Sequence, residues 1–263
     1  MQGKVALVTG AGRGIGAATA HKLASHGVQV LVNDLDDEVA NEVAASLPGA
    51  VAFPLDLTQP DAGERLITKA TETFGTLDIV INNAGYIWHS AIHNMTDEQW
   101  DAMLDIHVGA HFRILRAFGQ WLRKNKSDAM PRRKVVNTTS TVGLHGAPTQ
   151  LAYSAAKAAV VGVTRTLAKE WGRFNVNVNA VAFGAIETRL TSPYEDKPNV
   201  SVVNGEKRLV GLTHEQLKYN SELSPLKRIG TPEDAANAIY LMCTPESDWI
   251  TGETLLASGG VRT

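Results

Sequence analysis

In the stretch AYSAAKAAV, residues 152–160, a phenol and an ammonium stand four residues apart among small side chains. A helix brings residues four apart onto one face, so Tyr153 and Lys157 point the same way, and Ala155 and Ala156 leave space beside them. A free tyrosine titrates near pH ~10 and is a poor base at neutrality, whereas a nearby ammonium favours phenolate and lowers that value. Such a pair can pass a proton to and from the oxygen of an alcohol or ketone. A hydroxyl beside it would steady that oxygen. Ser140 is the candidate, at the end of the run VVNTTS and 13 residues before Tyr153. Alone, a tyrosine and lysine at this spacing are ordinarily packing and solvated charge, so the reading depends on what surrounds them.

Residues 8–16, VTGAGRGIG, suggest a binding loop. Glycines let a backbone approach a diphosphate closely, and a helix N-terminus behind them offers free N–H groups and a positive dipole end. Gly10, Gly14 and Gly16 have the spacing G-x-x-x-G-x-G, with Gly12 extra. The competing reading is a tight strand–helix turn that binds nothing. Asp34, 20 residues past Gly14, stands where a carboxylate would accept hydrogen bonds from the adenosine ribose and repel a 2′-phosphate. That favours NAD over NADP. Arg13 points the other way, since a guanidinium can pair with that phosphate. Asp34 can also be read as a cap of the next helix. An oxidised nicotinamide, itself a cation, would add to the depression of the tyrosine.

The elements that must position these groups alternate. Strands are expected in KVALVT, QVLVND, AVAFPLD, LDIVINN, KVVNTTS, VNVNAVA and ETLLAS, several of them almost continuously apolar, as parallel strands covered on both faces are. Helices are expected near 15–26, 36–46, 60–74, 96–124, 150–171 and 231–243, with capping signals at Thr96 and at TPED, 231–234. This pattern predicts an α/β fold, a Rossmann-type doubly wound parallel sheet of about seven strands in which residues 1–263 form a single NAD(P)-binding domain. Residues 124–134, KNKSDAMPRRK, are expected as a surface loop. The long, polar, turn-rich stretch 189–223 is expected as a binding loop over the substrate.

The 27 acidic and 25 basic residues nearly cancel and form no basic stripe, which argues against nucleic acid. The single cysteine, Cys243, cannot form an internal disulfide and fits a reducing compartment. No apolar run nears the ~20 residues that span a bilayer, so no membrane association is expected. With an N-terminus that enters a strand directly, the default location is cytoplasmic. The apolar run AAVVGVTRTLA exceeds what one buried helix face requires, and predicts packing against a partner in a homo-oligomer, a dimer or tetramer. His89/His93 and His107/His111 are i, i+4 pairs, but no glutamate follows the first histidine of either, so they are read as loop or helix-surface residues with no metal.

TGAGRGIG (9–16), NNAG (82–85), Ser140 and YSAAK (153–157), in this order and spacing, resemble the short-chain dehydrogenase/reductase family over nearly the whole chain. The resemblance implies Tyr153 as general acid/base and Ser140 as the group polarising the substrate oxygen. It implies that Lys157 lowers the tyrosine pKa and holds the nicotinamide ribose. It places the cofactor along Gly10, Arg13, Gly14, Ile15, Gly16, Asp34 and Leu35. Asp56 and Leu57 would meet adenine, and Asn83, Ala84 and Gly85 the ribose. Gly184, Ile186 and Thr188 would lie at the carboxamide end.

Three departures stand out. His107, in DIHVG, replaces the family's usual asparagine and touches the proposed proton relay. Its neutral ring can hold a relay water, and its protonation near Lys157 is expected to reduce turnover below pH ~6.5. Phe183-Gly184 replaces Pro-Gly, and Ser258-Gly259-Gly260 replaces Asp-Gly-Gly. For a small-molecule substrate, Trp88, His145, Gln150 and Tyr194, with His89, are placed to line a pocket. Gln150, three before the tyrosine, is similar to the GQANY form of 3-oxoacyl thioester reductases, and histidine at the asparagine position occurs in related 3-hydroxyacyl-CoA dehydrogenases. The favoured substrate is therefore a 3-hydroxyacyl/3-oxoacyl thioester, with another secondary alcohol, steroid or sugar-derived ketone as alternative. A non-catalytic dinucleotide-binding regulator would predict a degraded catalytic set, and Ser140, Tyr153 and Lys157 are intact.

Overall fold

The computed structural model describes residues 1–127, 129–189, 191–194, 199–203 and 206–261. Six apolar runs become β1 (Val5–Val8), β2 (Gln29–Val32), β3 (Val51–Ala52), β4 (Ile79–Asn82), β5 (Arg133–Ser140) and β6 (Val176–Phe183). The segment after β6 adds short strands β7 (Pro193–Tyr194), β8 (Asn199–Val203), β9 (Glu206–Val210) and β10 (Leu212–Thr213). The last apolar run becomes β11 (Thr254–Ala257). A seven-stranded parallel sheet runs in the order β11-β6-β5-β4-β1-β2-β3. The chain winds from β1 outward through β2 and β3, then returns to β4 on the other side of β1. The carboxyl ends of β1 and β4 thus form the switch point at which such sheets bind ligands.

The helices are α1 (Gly14–Ala24), α2 (Asp37–Ala45), α3 (Ala62–Phe74), α4 (Asp97–Leu104), α5 (Ala110–Lys124), α6 (Thr141–His145), α7 (Leu151–Trp171), α8 (His214–Leu223) and α9 (Pro232–Cys243). They cover both faces of the sheet. One core joins Leu7, Leu66, Ile114, Phe118 and Trp171, and the other joins Val8, Leu23, Val32, Ile81 and Ile239. Capping boxes start α4 at Thr96 and α9 at Thr231, each threonine accepting from the N–H three residues on. The face holding α3 and α5 brings them so close that a Cβ at Gly63 would overlap the Arg113 carbonyl.

Three expectations change. The helix expected over 96–124 is α4 and α5 joined by a π turn, Asp105–Gly109, in which His107 lies. Asp105 pairs with Arg113 across this turn, and a Cβ at Gly109 would meet the Asp105 carboxylate. The stretch 189–223 carries β7–β10 and α8 rather than loop alone. β7 pairs with β10, β8 pairs antiparallel with β9, and Thr213 caps α8. Residues 190, 195–198, 204 and 205 of that stretch lie outside the described residues. In 124–134 the strand begins at Arg133, earlier than the charge suggests. Arg133 is buried over the Trp121 ring and donates to the Leu77 carbonyl, and Lys134 pairs with Asp248 at 2.7 Å. No helix among the described residues is long and apolar enough to cross a membrane.

Candidate active site

The turn from β1 into α1 needs its glycines. Gly10 and Gly14 have φ of 60° and 54°, a region that side chains disfavour. A Cβ on Gly10 would stand 2.8 Å from the Ala84 Cα, and one on Gly16 would overlap the Gly10 carbonyl. The loop is clamped from β4's end, where Asn83 donates from Nδ2 to the Thr9 and Gly10 carbonyls at 3.0 and 3.2 Å. Asn83 therefore shapes the loop through its side chain. Thr9 accepts the backbone N–H groups of Asn83 and Ala84, which ties NNAG to the same turn.

Asp34 follows β2 and faces the glycine loop. Its Oδ2 accepts the Gly12 N–H at 2.9 Å and its Oδ1 the Asp36 N–H at 3.2 Å. Leu35 beside it is exposed. Arg13, at the cap of α1, is paired with Asp36 at 3.0 Å, and this guanidinium holds the Asp36 carboxyl below its usual range. Burial raises Asp56, but hydrogen bonds from the Thr58 N–H and hydroxyl and from Gln59 outweigh it and lower the carboxyl overall. Leu57 is buried next to it, and its carbonyl accepts from Arg113. From the far side, the Thr188 methyl comes to 3.5 Å of where a Gly14 Cβ would lie. Ile186 is buried and bridges to Gly230. A side-chain-free loop at the switch point, a carboxylate at its ribose end and Ile15 at the first turn of α1 together fit a dinucleotide.

The reactive groups gather at the ends of β5 and β6. Ser140 pairs with Phe183 across these strands, and its hydroxyl donates to the Phe183 carbonyl at 3.4 Å and accepts the Val142 N–H at 3.2 Å. Its interaction with the Tyr153 phenol favours the phenolate. Lys157 is only 4% exposed, donates to the Thr138 carbonyl at 3.0 Å and lies 5.7 Å from the Tyr153 ring centre. Gly143 of α6 allows this close packing, since a Cβ there would stand 2.7 Å from the Lys157 Cβ. The expected depression of the tyrosine is not met in the protein alone. Burial pushes Tyr153 up to about 12, Ser140 only partly opposing it, and burial lowers Lys157 to about 7. The ammonium is directed at a backbone carbonyl, and desolvation outweighs its help to the phenolate.

His107 meets this pair. Its ring stands edge-on to Tyr153 with centres 5.1 Å apart, and Gly85 lacks a Cβ where the imidazole lies, 2.6 Å from Nδ1 to the Cβ that alanine would place there. Nε2 lies 2.7 Å from the Tyr86 carbonyl. A carbonyl only accepts, so the neutral ring carries its proton on Nε2 and leaves Nδ1 an acceptor. Burial, then the Lys157 charge, hold His107 well below its usual pKa. It therefore stays neutral at pH 6.5, which removes the expected protonation of His107 as the cause of an acid limb there. The His107/His111 pair is also not at the helix surface: the rings are 1% and 3% exposed.

The expected substrate residues follow the carboxyl ends of β4, β5 and β6. Trp88 is half-buried, and Gln150 caps α7 and bridges to Ser90, with its Oε1 buried and unpartnered. His145 ends α6 and is exposed, and Tyr194 is half-buried in β7. His89 meets the Thr149 hydroxyl at 3.3 Å. Gly184 backs onto Ser258, so the two departures at 183–184 and 258–260 pack against each other. Among the described residues no group of three or more His, Cys, Asp or Glu could hold a metal. Asp36 is not singled out by sequence reasoning, and Thr9 and His111 are named there only as part of a motif and of a histidine pair. The i, i+4 relation to His107 flags His111 but does not reveal its burial.

A family model described as enoyl-(acyl carrier protein) reductase matches residues 10–262. The chain is 32% identical to the 3-oxoacyl-[acyl-carrier-protein] reductase FabG of Thermotoga maritima, covering 99% of this chain and 98% of the relative. It is 35% identical to the 3-oxoacyl-[acyl-carrier-protein] reductase of Synechocystis, with 98% and 96% covered. It is also 33% identical to versicolorin reductase stcU of Emericella nidulans, with 99% and 96% covered.

Proposed function

The chain belongs to the short-chain dehydrogenase/reductase family, NAD(P)-dependent oxidoreductases that act on CH–OH and keto groups, and from that premise we propose a 3-hydroxyacyl/3-oxoacyl thioester as its substrate. The observation that carries the reaction is the convergence of three side chains at the ligand-bearing edge: Ser140 at the end of β5, Tyr153, and the buried Lys157 with its ammonium 5.7 Å from the Tyr153 ring centre. Gly10, Gly14, Gly16 and Asp34 would hold a nicotinamide dinucleotide, which would supply the hydride chemistry. Ser140 steadies the substrate oxygen through its hydroxyl. In the reductive direction the Tyr153 Oη gives its proton to that oxygen, and in the oxidative direction it takes the proton back. A phenol near 12 in the protein alone is well protonated for reduction, and a cation arriving beside it is what oxidation requires. Lys157 supplies positive charge beneath the phenol and the ribose contact.

NAD(H) is preferred over NADP(H) in this proposal. Asp34 presents its carboxylate at the ribose end, and Arg13 is held by Asp36 rather than free to meet a 2′-phosphate. Gln150, Trp88, His145 and Tyr194 are assigned to the substrate side. A homo-oligomer and a cytoplasmic setting belong to the same proposal. The similarity to versicolorin reductase, at an identity close to those of the acyl-carrier-protein reductases, supports a second reading in which the substrate is another secondary alcohol, a steroid or a sugar-derived ketone. The test follows NADH and NADPH absorbance over a panel of 3-oxoacyl thioesters, steroid ketones and sugar-derived ketones. Turnover with thioesters at a kcat/KM at least ten times that of the others is expected. A preference for one of those others selects the second reading, and cofactor binding with no turnover selects a regulator.

A further inference from the structure

His111 does nothing in the reaction described above, yet it is a buried polar side chain next to its machinery. Nε2 of its ring is buried without a partner whereas Nδ1 is not among the unpartnered atoms, and the Asn82 backbone carbonyl is the acceptor that favours a proton on the ring. The bonded nitrogen is then Nδ1, which carries the proton, so Nε2 is an acceptor. One turn earlier, His107 donates from Nε2 and leaves Nδ1 an acceptor with no partner. Two imidazoles of opposite tautomer thus each present a bare, buried nitrogen. A donor is close at hand. The Lys157 ammonium has three N–H groups and gives one of them to the Thr138 carbonyl, and it lies 5.7 Å from the centre of the same Tyr153 ring that His107 meets edge-on at 5.1 Å. Buried acceptors are costly when unmatched, and a buried water with about three hydrogen bonds is the usual solution.

We propose that His111 is a positioning residue for Lys157: with His107 it forms an acceptor pair that holds one buried water, which in turn accepts an N–H of the ammonium. Both hydrogens of that water are directed at the imidazoles, so its lone pair can only face the lysine. This fixes the ammonium beneath Tyr153 and favours its charged form. His107 cannot pass a proton onward, because its Nε2–H is committed to the Tyr86 carbonyl, so the two rings anchor rather than relay. The charged or titratable groups around His111 are Lys157 on α7 and His107 on the π turn, with the neutral Asn82 carbonyl on β4. The inference rests on Tyr153 and Lys157 being the proton-transferring pair.

The test compares His111→Leu, which removes the acceptor, with His111→Gln, which keeps one near the position of Nε2. His111→Leu is expected to lower kcat on the order of 10-fold, the scale of losses when a supporting polar partner is removed. It should also displace the kcat–pH profile, with NADH affinity within about twofold of the parent. His111→Gln should recover most of the loss. Superimposable pH profiles for the parent and His111→Leu would overturn the proposal. Imidazole 15N spectra of the unsubstituted protein give an answer that needs no variant. The expected result is two neutral rings, protonated on Nε2 in His107 and on Nδ1 in His111. A proton on Nε2 of His111 would overturn the acceptor pair. Tyr153→Phe in the same assay separates the two failures: retained turnover there would sink the underlying reading, whereas unchanged His111 variants beside an inactive Tyr153→Phe would sink only this one.

Discussion

At the scale of single residues, burial sets the protonation states. Tyr153 reaches about 12 and Lys157 falls to about 7 because both leave water, and among the described residues neither has an ion-pair partner. Tyr153→Phe keeps the ring and removes the proton. It is expected to lower kcat by on the order of 10²–10⁴ with little change in cofactor affinity, read by steady-state kinetics and NADH fluorescence titration. The buried histidines also act on stability. Both have folded pKa values below the unfolded value, His111 at about 3. Below pH ~6.5 the unfolded chain binds protons that the folded one refuses, so stability falls as pH falls, for His111 until about 3. His107→Asn removes one of these groups and should lose about 1 kcal/mol less than the parent between pH 7 and 5.5 in urea unfolding. Equal losses would mean that His107 is protonated in the folded state.

At the scale of elements, close approaches do the positioning. The β1–α1 turn holds Asp34 against Gly12, and the α1 cap holds Arg13 on Asp36. Asp34→Ala should weaken NAD and narrow the gap to NADP, measured as the ratio of kcat/KM values. A parent enzyme that prefers NADPH tenfold, about 1.4 kcal/mol in transition-state binding, would show that Arg13 leaves Asp36 for the phosphate. The crossing of α3 over α5 is a second such contact. Gly63→Ala puts a methyl into the Arg113 carbonyl, an overlap that side-chain rotation cannot relieve. It is expected to destabilise by about 1–3 kcal/mol in denaturant titration, with m unchanged. The same contact carries Arg113, which braces the π turn through Asp105 and reaches the Leu57 carbonyl beside Asp56. The segment of Asp56 and Leu57 and the histidine turn therefore share one side chain.

At the scale of the whole molecule, the surface carries more apolar area than the fold itself uses. Phe112 is 55% exposed on α5, and α7 exposes Ala158, Ala159 and Gly162, with open space around Gly162. Trp249 is fully exposed before β11. Small and aromatic residues exposed on long helices suit close helix packing between subunits. A dimer or tetramer is expected by light scattering at micromolar concentration, and Gly162→Glu should shift it toward monomer while far-UV circular dichroism stays unchanged. A monomeric parent would leave the apolar length of α7 without this explanation.

The amino-acid sequence by itself determines the sheet and its helices. Strands buried on both faces must be nearly continuous apolar runs, and capped amphipathic stretches between them must return the chain to the same edge, so all seven sheet strands and the main helices are legible. The glycine loop and the set Ser140, Tyr153 and Lys157 are legible for a local reason, since turn geometry and helical spacing alone bring their atoms toward one edge. The tertiary structure decides what depends on distant neighbours. The π turn is a one-residue change of phase that apolar periodicity absorbs without trace. The second structural unit within 189–223 forms from short polar strands whose pairing no local pattern announces. His107 and His111 look like surface histidines in sequence, and only the packing of the π turn onto α7 buries them beside Lys157. Protonation follows from the same cause: desolvation is a sum over everything packed around a group, so the shifts of Tyr153, Lys157 and both histidines belong to the folded molecule and not to any stretch of its chain.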